Sequence, residues 1–350
     1  MSRYGVLIVD DSAFMRRAFS LLIERDPDFY IVGIARNGVE ALEKLQRFEP
    51  DVITMDVEMP VMNGIDALER IMKEHPVPVV MLSHQTGEGT QAAIRALELG
   101  AVDVFLKESL LADHPDPDRL ADFHARLKLA ATARISGEPE ERATDADDAV
   151  SHDSGSRTPP TCELLVIGCS TGGPSALQAI LPRIPADFPA SVVVIQHMPP
   201  GFTSTLAYRF NSICQMPVKE AEEGDPLSPG RIYIAPAGYQ TTARRLADGR
   251  VVLRISEEPV MLYKPSIDVT LRSLAPIYQD RMLSAVLTGM GNDGLEGCRA
   301  VKQHGGTVVT EAEESCVVYG MPKVVHEAGL SDAQAVLPRM FACIISHMYM

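Results

Sequence analysis

The chain has 350 residues, 47 of them acidic and 32 basic, for a net charge of −15. With no Lys/Arg cluster it lacks the basic surface from which nucleic-acid binders draw most of their affinity, so no nucleic-acid partner is expected. It is 46% hydrophobic and 23% charged, and its apolar runs stop far short of the 18 residues that suggest a membrane span. No membrane insertion is expected, and the length suffices for two domains, each with its own core.

From Tyr4 onward, apolar runs alternate with helix-period segments. Val6–Val9, Tyr30–Ile34, Val52–Met55, Val77–Leu82 and Val102–Leu106 read as buried strands, and Ala13–Glu24 as a helix capped by Ser12. Five such units over residues 1–128 predict one parallel sheet with helices on both faces. The first strand starts too early to leave space for a secretory signal. The six cysteines form no CxxC pair or zinc spacing, so reduced thiols and a cytoplasmic location are expected.

Residues 129–160 break the pattern. Between Glu138 and Arg157 lie seven acidic residues and two arginines, with Val150 the one large aliphatic residue. Such a segment cannot bury enough apolar surface to offset its ordering, and a flexible acidic linker is expected. Over residues 161–350 the alternation resumes, with strands at Leu164–Gly168, Ser191–Gln196, Arg231–Ile234, Leu283–Leu287 and Thr307–Thr310. Tyr239–Arg245 and Arg250–Ile255 flank Asp248-Gly249 as a hairpin. Ala335–Met348 places Leu337, Phe341, Ile344, Ile345 and Met348 on one helical face, which reads as core packing.

Chemistry gathers at strand ends in both halves. Asp10-Asp11 ends the first strand, Asp56 the third, Ser83 the fourth and Lys107 the fifth. In an open parallel sheet, ligands bind beyond the carboxyl ends, so these residues should crowd one edge. Three carboxylates together repel unless a cation joins them, and oxygen ligands of this kind suit Mg²⁺. Lys107 adds a positive charge, and Ser83 a hydroxyl able to bond a phosphoryl oxygen. A lone Asp or Lys at a strand end is usually a turn or solvated residue, but five at matching ends are hard to explain that way.

This constellation, with Asp56-Val-Glu-Met-Pro60 and Asn63-Gly64, resembles the flavodoxin-like receiver domain of two-component signalling. The resemblance implies that Asp56 accepts a phosphoryl group from a histidine kinase. It implies that Asp11 and Asp56, with Asp10 and the Glu58 backbone, hold Mg²⁺, and that Ser83, Phe105 and Lys107 form the switch. One departure is Glu108, where that family commonly has proline after the lysine. It puts the turn that aims Lys107 in question.

In the second half, Gly168-Cys-Ser170-Thr-Gly172-Gly173-Pro174 follows a strand and opens a helix. Its glycines permit a sharp turn, and the helix N-terminus offers free N–H groups beside an exposed serine. Alone, the motif also fits a phosphate-binding loop or a plain tight turn. His197 follows the Ser191–Gln196 strand and Asp293 the Leu283–Leu287 strand. If these strands are parallel, nucleophile, base and orienting carboxylate emerge at one sheet edge. The order Ser, His, Asp departs from the α/β-hydrolase order of Ser, Asp, His. Gly289-Met-Gly291-Asn-Asp-Gly294 also fits a dinucleotide-binding motif, with Glu311 or Glu313 near a ribose, but that motif normally begins its domain.

Residues 163–348 resemble the catalytic domain of the chemotaxis protein-glutamate methylesterases. The matching stretches are Gly168–Gly173, Gln196–Phe202, Ile234–Pro236, Lys264–Asp268, Leu287–Gly294 and Ser315–Pro322. The resemblance implies a doubly wound α/β hydrolase domain with a mainly parallel sheet, a Ser170–His197–Asp293 triad, and an oxyanion site at the Thr171 and Met290 N–H groups. It implies demethylation of glutamate γ-methyl esters on the cytoplasmic helices of methyl-accepting chemoreceptors, and in many members deamidation of receptor glutamines. No cofactor is expected for hydrolysis, and Mg²⁺ serves the receiver. The resemblance further implies that the unphosphorylated receiver lies over the cleft. Gln240, where members often carry His, is expected to alter the cleft lining. Two alternatives remain: a related hydrolase in a non-chemotactic pathway, and a phosphate sink with a dead hydrolase domain.

Overall fold

The structure, a computed structural model, describes residues 3–84, 86–111, 117–133 and 161–349. Most of the linker expected at 129–160 lies outside the described residues. In the amino-terminal half, β1 (Tyr4–Val9), β2 (Phe29–Ala35), β3 (Val52–Asp56), β4 (Val79–Ser83) and β5 (Asp103–Leu106) form a parallel sheet ordered β2-β1-β3-β4-β5. β3 and β4 are buried throughout, which is why they read as unbroken apolar runs, whereas the edge strand β2 is mixed. Around the sheet pack α1 (Ala13–Ile23), α2 (Gly38–Leu45), α3 (Gly64–Glu74), α4 (Gly87–Glu98), α5 (Lys107–Leu110) and α6 (Pro117–Ala131). Ser12, Asn37, Asn63 and Thr86 start α1 to α4 by accepting a backbone N–H three residues on. α6 runs to Ala131, past the boundary expected at Lys128, because Phe123, Leu127 and Ala130 bury one continuous face.

In the carboxyl-terminal half, β6 (Leu164–Cys169), β7 (Ser191–Gln196), β8 (Val218–Glu220) and β9 (Ile232–Ile234) belong to a second sheet. The antiparallel hairpin β10 (Gln240–Arg245) and β11 (Val251–Ser256) stands apart from it. β12 (Met282–Val286), β13 (Thr307–Glu311) and β14 (Ala333–Ala335) complete the seven strands, ordered β14-β13-β12-β6-β7-β9-β8 with every pair parallel. Its helices are α7 (Gly173–Ile180), α8 (Phe202–Asn211), α9 (Ile267–Tyr278), α10 (Leu295–Gln303), α11 (Met321–Glu327) and α12 (Leu337–Met348).

The terminal helix starts at Leu337, not Ala335, because Ala333–Ala335 is an edge strand. It buries Met340, Ile344 and Met348, while Leu337, Phe341 and Ile345 pack at the margin of the core. β8 and β14 have three residues each, too few to show a period in the sequence. No helix among the described residues is long and apolar enough to cross a membrane.

Candidate active site

Ser170 follows β6, His197 follows β7 and Asp293 lies in the loop after β12, so the three occupy the carboxyl ends of neighbouring strands. The strand order reverses between β6 and β12, where open α/β sheets form their binding crevice. Gly172 (φ 78°) makes the turn after Ser170, and a Cβ there would meet Val317 at 2.7 Å. All three side chains are buried.

His197 Nε2 lies 2.8 Å from Asp293 Oδ2. The start of α9 adds three donors to that carboxylate: Ser266 Oγ at 2.8 Å, Ile267 N at 2.7 Å and Asp268 N at 3.0 Å. Burial works to raise the Asp293 pKa, but His197 and these helix-terminal amides outweigh it and lower it. Asp268 Oδ1 in turn accepts from Gly294 N and Gly297 N at the start of α10. Each helix start is thus held by a carboxylate belonging to the other. His197 Nδ1 is buried with no partner among the described residues. With Nε2 engaged, Nδ1 is the nitrogen left open, and Ser170 lines the same small cavity without a hydrogen bond to the imidazole among the described residues.

Several supporting residues escape sequence reasoning. The Gln196 amide donates to both Ser170 O (2.9 Å) and His197 O (2.8 Å), joining the two loops from beneath. Thr288 accepts the Ser170 N–H on its carbonyl and donates its hydroxyl to Thr171 O. Glu311 is fully buried, where it accepts from Thr288 N and Ser315 Oγ, so it is no ribose ligand. Burial above all raises its pKa. The Thr171 and Met290 N–H groups donate to no acceptor among the described residues.

Gln240, expected to alter the cleft lining, does not itself line the cleft but is fully buried behind it. Its Oε1 accepts from Ser266 N, and its Nε2 donates to Tyr263 O. A long polar side chain can reach both strands of the loop that supports Asp293, and burial there is stable because its amide is paired.

At the edge of the first sheet, Lys107 Nζ lies 2.8 Å from both Asp10 Oδ2 and Asp56 Oδ2. The lysine is therefore aimed without a following proline, and Glu108 pairs with His84 Nδ1 at 2.7 Å. Asp10, Asp11 and Asp56 each offer an oxygen, all within 4.8 Å of one another. This all-oxygen, net-negative set fits Mg²⁺. Burial, aided by the Asp10 charge and opposed by Lys107, pushes the Asp56 pKa up to about 6. The Glu58 N–H lies 3.4 Å from Asp56 Oδ1. Ser83 Oγ is turned to the Gly89 and His84 carbonyls, and Phe105 packs edge-on to Phe123.

Comparison with known proteins places both halves. The CheB methylesterase family model matches residues 165–344, and the response regulator receiver domain model matches residues 6–113. The chain belongs to the CheB methylesterase family. A "protein-glutamate methylesterase/protein-glutamine glutaminase 1" of Oleidesulfovibrio alaskensis is 41% identical over 98% of this chain and 99% of that protein. A protein-glutamate methylesterase/protein-glutamine glutaminase of Thermotoga maritima is 42% identical over 93% of both chains. The crystal structure of the Thermotoga maritima CheB methylesterase catalytic domain covers 53% of this chain and 98% of its own, at 42% identity and a TM-score of 0.51.

The receiver domain packs on the methylesterase domain through α4, the start of β5 and α6, not through its acidic edge. Asp103 Oδ2 accepts from Thr171 Oγ1 at 2.8 Å, next to Ser170, and Gly172 N donates to Val102 O at 3.2 Å. The Arg126 guanidinium grips Asp103 and lies 4.3 Å over the Phe105 ring. At the rim, Arg209 and Glu98 pair at 2.5 Å. Leu97, Val102, Asp103 and Val104 close over Ser170 and His197, leaving a cavity of about 10 Å³. That is at most the space of one water, and no side-chain ester fits.

Proposed function

We propose that this protein is a serine hydrolase, controlled by phosphorylation, that removes methyl groups from glutamate γ-methyl esters on cytoplasmic chemoreceptor helices. The observation that carries the reading is the buried His197–Asp293 pair beside Ser170 in a chain of this family. Ser170 Oγ attacks the γ-carbonyl while His197 Nδ1 takes its proton. Asp293 stabilises the imidazolium through Nε2, and the Thr171 and Met290 N–H groups face the oxyanion. Collapse of the intermediate breaks the C–O bond. His197 returns its proton to the leaving methoxide, releasing methanol. Water then attacks the acyl-enzyme by the same route, restoring Ser170 and a glutamate carboxylate. With a glutamine side chain the leaving group is ammonia, which gives the deamidation named in the relatives.

Asp56 accepts a phosphoryl group from a chemotaxis histidine kinase. Asp10, Asp11 and Asp56, with the Glu58 backbone, would hold Mg²⁺, whose charge offsets that of the transferring phosphoryl group. Lys107 and Ser83 read the phosphorylated state, and Phe105 with Arg126 passes it to the docking face. Unphosphorylated, the receiver blocks the crevice through Asp103 and its neighbours. The setting is cytoplasmic, where both kinase and receptor helices are reached. Methanol release from methylated receptor membranes, with and without a small acyl-phosphate donor, tests the reading. A wild-type chain that releases none in either state overturns it.

A further inference from the structure

The Tyr263 ring lies parallel to the His197 imidazole, with centroids 4.3 Å apart and planes within 3°. Asp293 fixes one edge of the imidazole, and this phenol covers one face. We propose, on the hydrolase reading above, that Tyr263 is a positioning residue for the base: it sets the imidazole plane and stabilises the imidazolium that forms when His197 takes the Ser170 proton.

The face of an aromatic ring is electron-rich, and a cation within about 6 Å of its centroid is attracted to it. Neutral imidazole gains little from this, and imidazolium gains most. The interaction therefore favours the transition state over the bound substrate, and its loss should lower kcat more than it raises KM. Two further observations support this role. Gln240 donates to Tyr263 O (3.0 Å) and accepts from Ser266 N (2.9 Å), and Ser266 Oγ donates to Asp293. One buried amide thus ties the residue over the face of His197 to the residue at its edge. The Tyr263 hydroxyl points away from the base, reaching Asp122 of the receiver at 3.3 Å. Burial and the Asp122 charge push its pKa up to about 12, so it stays neutral and takes no part in proton transfer. The other groups that face the imidazole are Asp293 at Nε2 and, across the small cavity, Ser170 and Asp103.

The test uses the full chain treated with Mg²⁺ and an acyl-phosphate donor. It measures methanol release and, separately, the pH dependence of Ser170 labelling by a fluorophosphonate. Tyr263→Phe keeps the face and should hold kcat and the pH profile within about twofold. Tyr263→Leu should lower kcat about 3- to 30-fold at nearly constant KM. It should also move the acid limb of the labelling profile to lower pH, because the protonated base has lost its partner. Pentafluorophenylalanine at position 263 keeps the shape while reversing the ring's charge distribution, so it should behave like Tyr263→Leu even if that variant folds poorly. A Tyr263→Leu variant with unchanged kcat and acid limb and only a raised KM would make Tyr263 a cleft-lining residue and overturn the proposal. So would a pentafluorophenylalanine variant that matches wild type. Failure of the hydrolase reading looks different, because the wild-type chain would then neither label at Ser170 nor release methanol.

Discussion

Asp56→Asn should make the receiver domain more stable at neutral pH while abolishing its phosphorylation. Asp56 is 4% exposed, and burial holds its pKa at about 6, against 3.8 for a free aspartate. The native state therefore binds this proton more tightly than the unfolded chain does. The resulting stability is fully present below about pH 4 and is lost as pH rises through about 6. Each tenfold change in proton affinity is worth about 1.4 kcal/mol, so the ionised carboxylate costs about 3 kcal/mol at neutral pH. Asparagine keeps the shape without the charge. Lys107 loses one of its two carboxylates but retains Asp10, so the net gain should be about 1–3 kcal/mol, or roughly 5–10 °C in Tm. Calorimetry of the full chain in EDTA, following the transition that Mg²⁺ raises in the wild type, measures the difference. The gain should shrink to about 0.5 kcal/mol at pH 4, where Asp56 is protonated in the native state and roughly half protonated in the unfolded chain. A variant less stable at pH 7.5, or one equally stabilised at pH 4 and 7.5, would refute the reasoning.

Ser170→Ala and His197→Ala should each lower methanol release by at least about 10³-fold, because nucleophile and base act as a unit. Asp293→Asn should lose about 10²–10⁴-fold, since its amide cannot serve both His197 and the α9 start; near-normal rates in any of the three would move the site elsewhere. Glu98→Gln removes the rim ion pair with Arg209 and should raise the unphosphorylated rate about two- to fivefold while leaving the phosphorylated rate unchanged. An equal rise in both states would mean that the pair does not report docking. A fragment beginning near Pro160 should outpace the unphosphorylated chain by about 5–150-fold, and phosphorylation should close much of that gap. EDTA should spare the fragment, and chelation that stops it would refute a metal-free hydrolysis.

Much of the fold was legible because both sheets are parallel and buried, so each central strand is an unbroken apolar run closed by a functional residue. Asp10, Asp56, Ser170 and His197 stand out for that reason. Residues that act by shape or by pairing were not legible. Gln196 and Thr288 look like ordinary strand-end polar residues, and only the folded backbone shows that their side chains tie the nucleophile loop to its neighbours. Tyr263 sits between exposed Met261 and Leu262 and a lysine, with no periodic signal to mark it. Asp103 was hidden for a different reason. It stands at the start of β5, the end of a parallel strand that carries no ligand chemistry, and its partner Thr171 lies 68 residues away in the other domain.

That position bears on how the two sites communicate. The acidic edge of the receiver does not face the methylesterase crevice, so a phosphoryl group on Asp56 cannot act on the crevice by contact. β5 spans the gap: Lys107 follows its last residue, Phe105 lies within it under Arg126, and Asp103 begins it. At about 3.3 Å per residue the strand carries a displacement over little more than 10 Å. A regulatory difference of 5–150-fold needs a differential docking energy of about 1–3 kcal/mol. One hydrogen bond to a charged group, such as that from Thr171 to Asp103, contributes about 1.5–3 kcal/mol. On the proposed regulation, a shift of β5 or a rotation of Arg126 that breaks this bond would supply a difference of that size. The Phe105–Arg126–Asp103 series then needs only ångström-scale movement, and the receiver need not unfold or refold against a new surface.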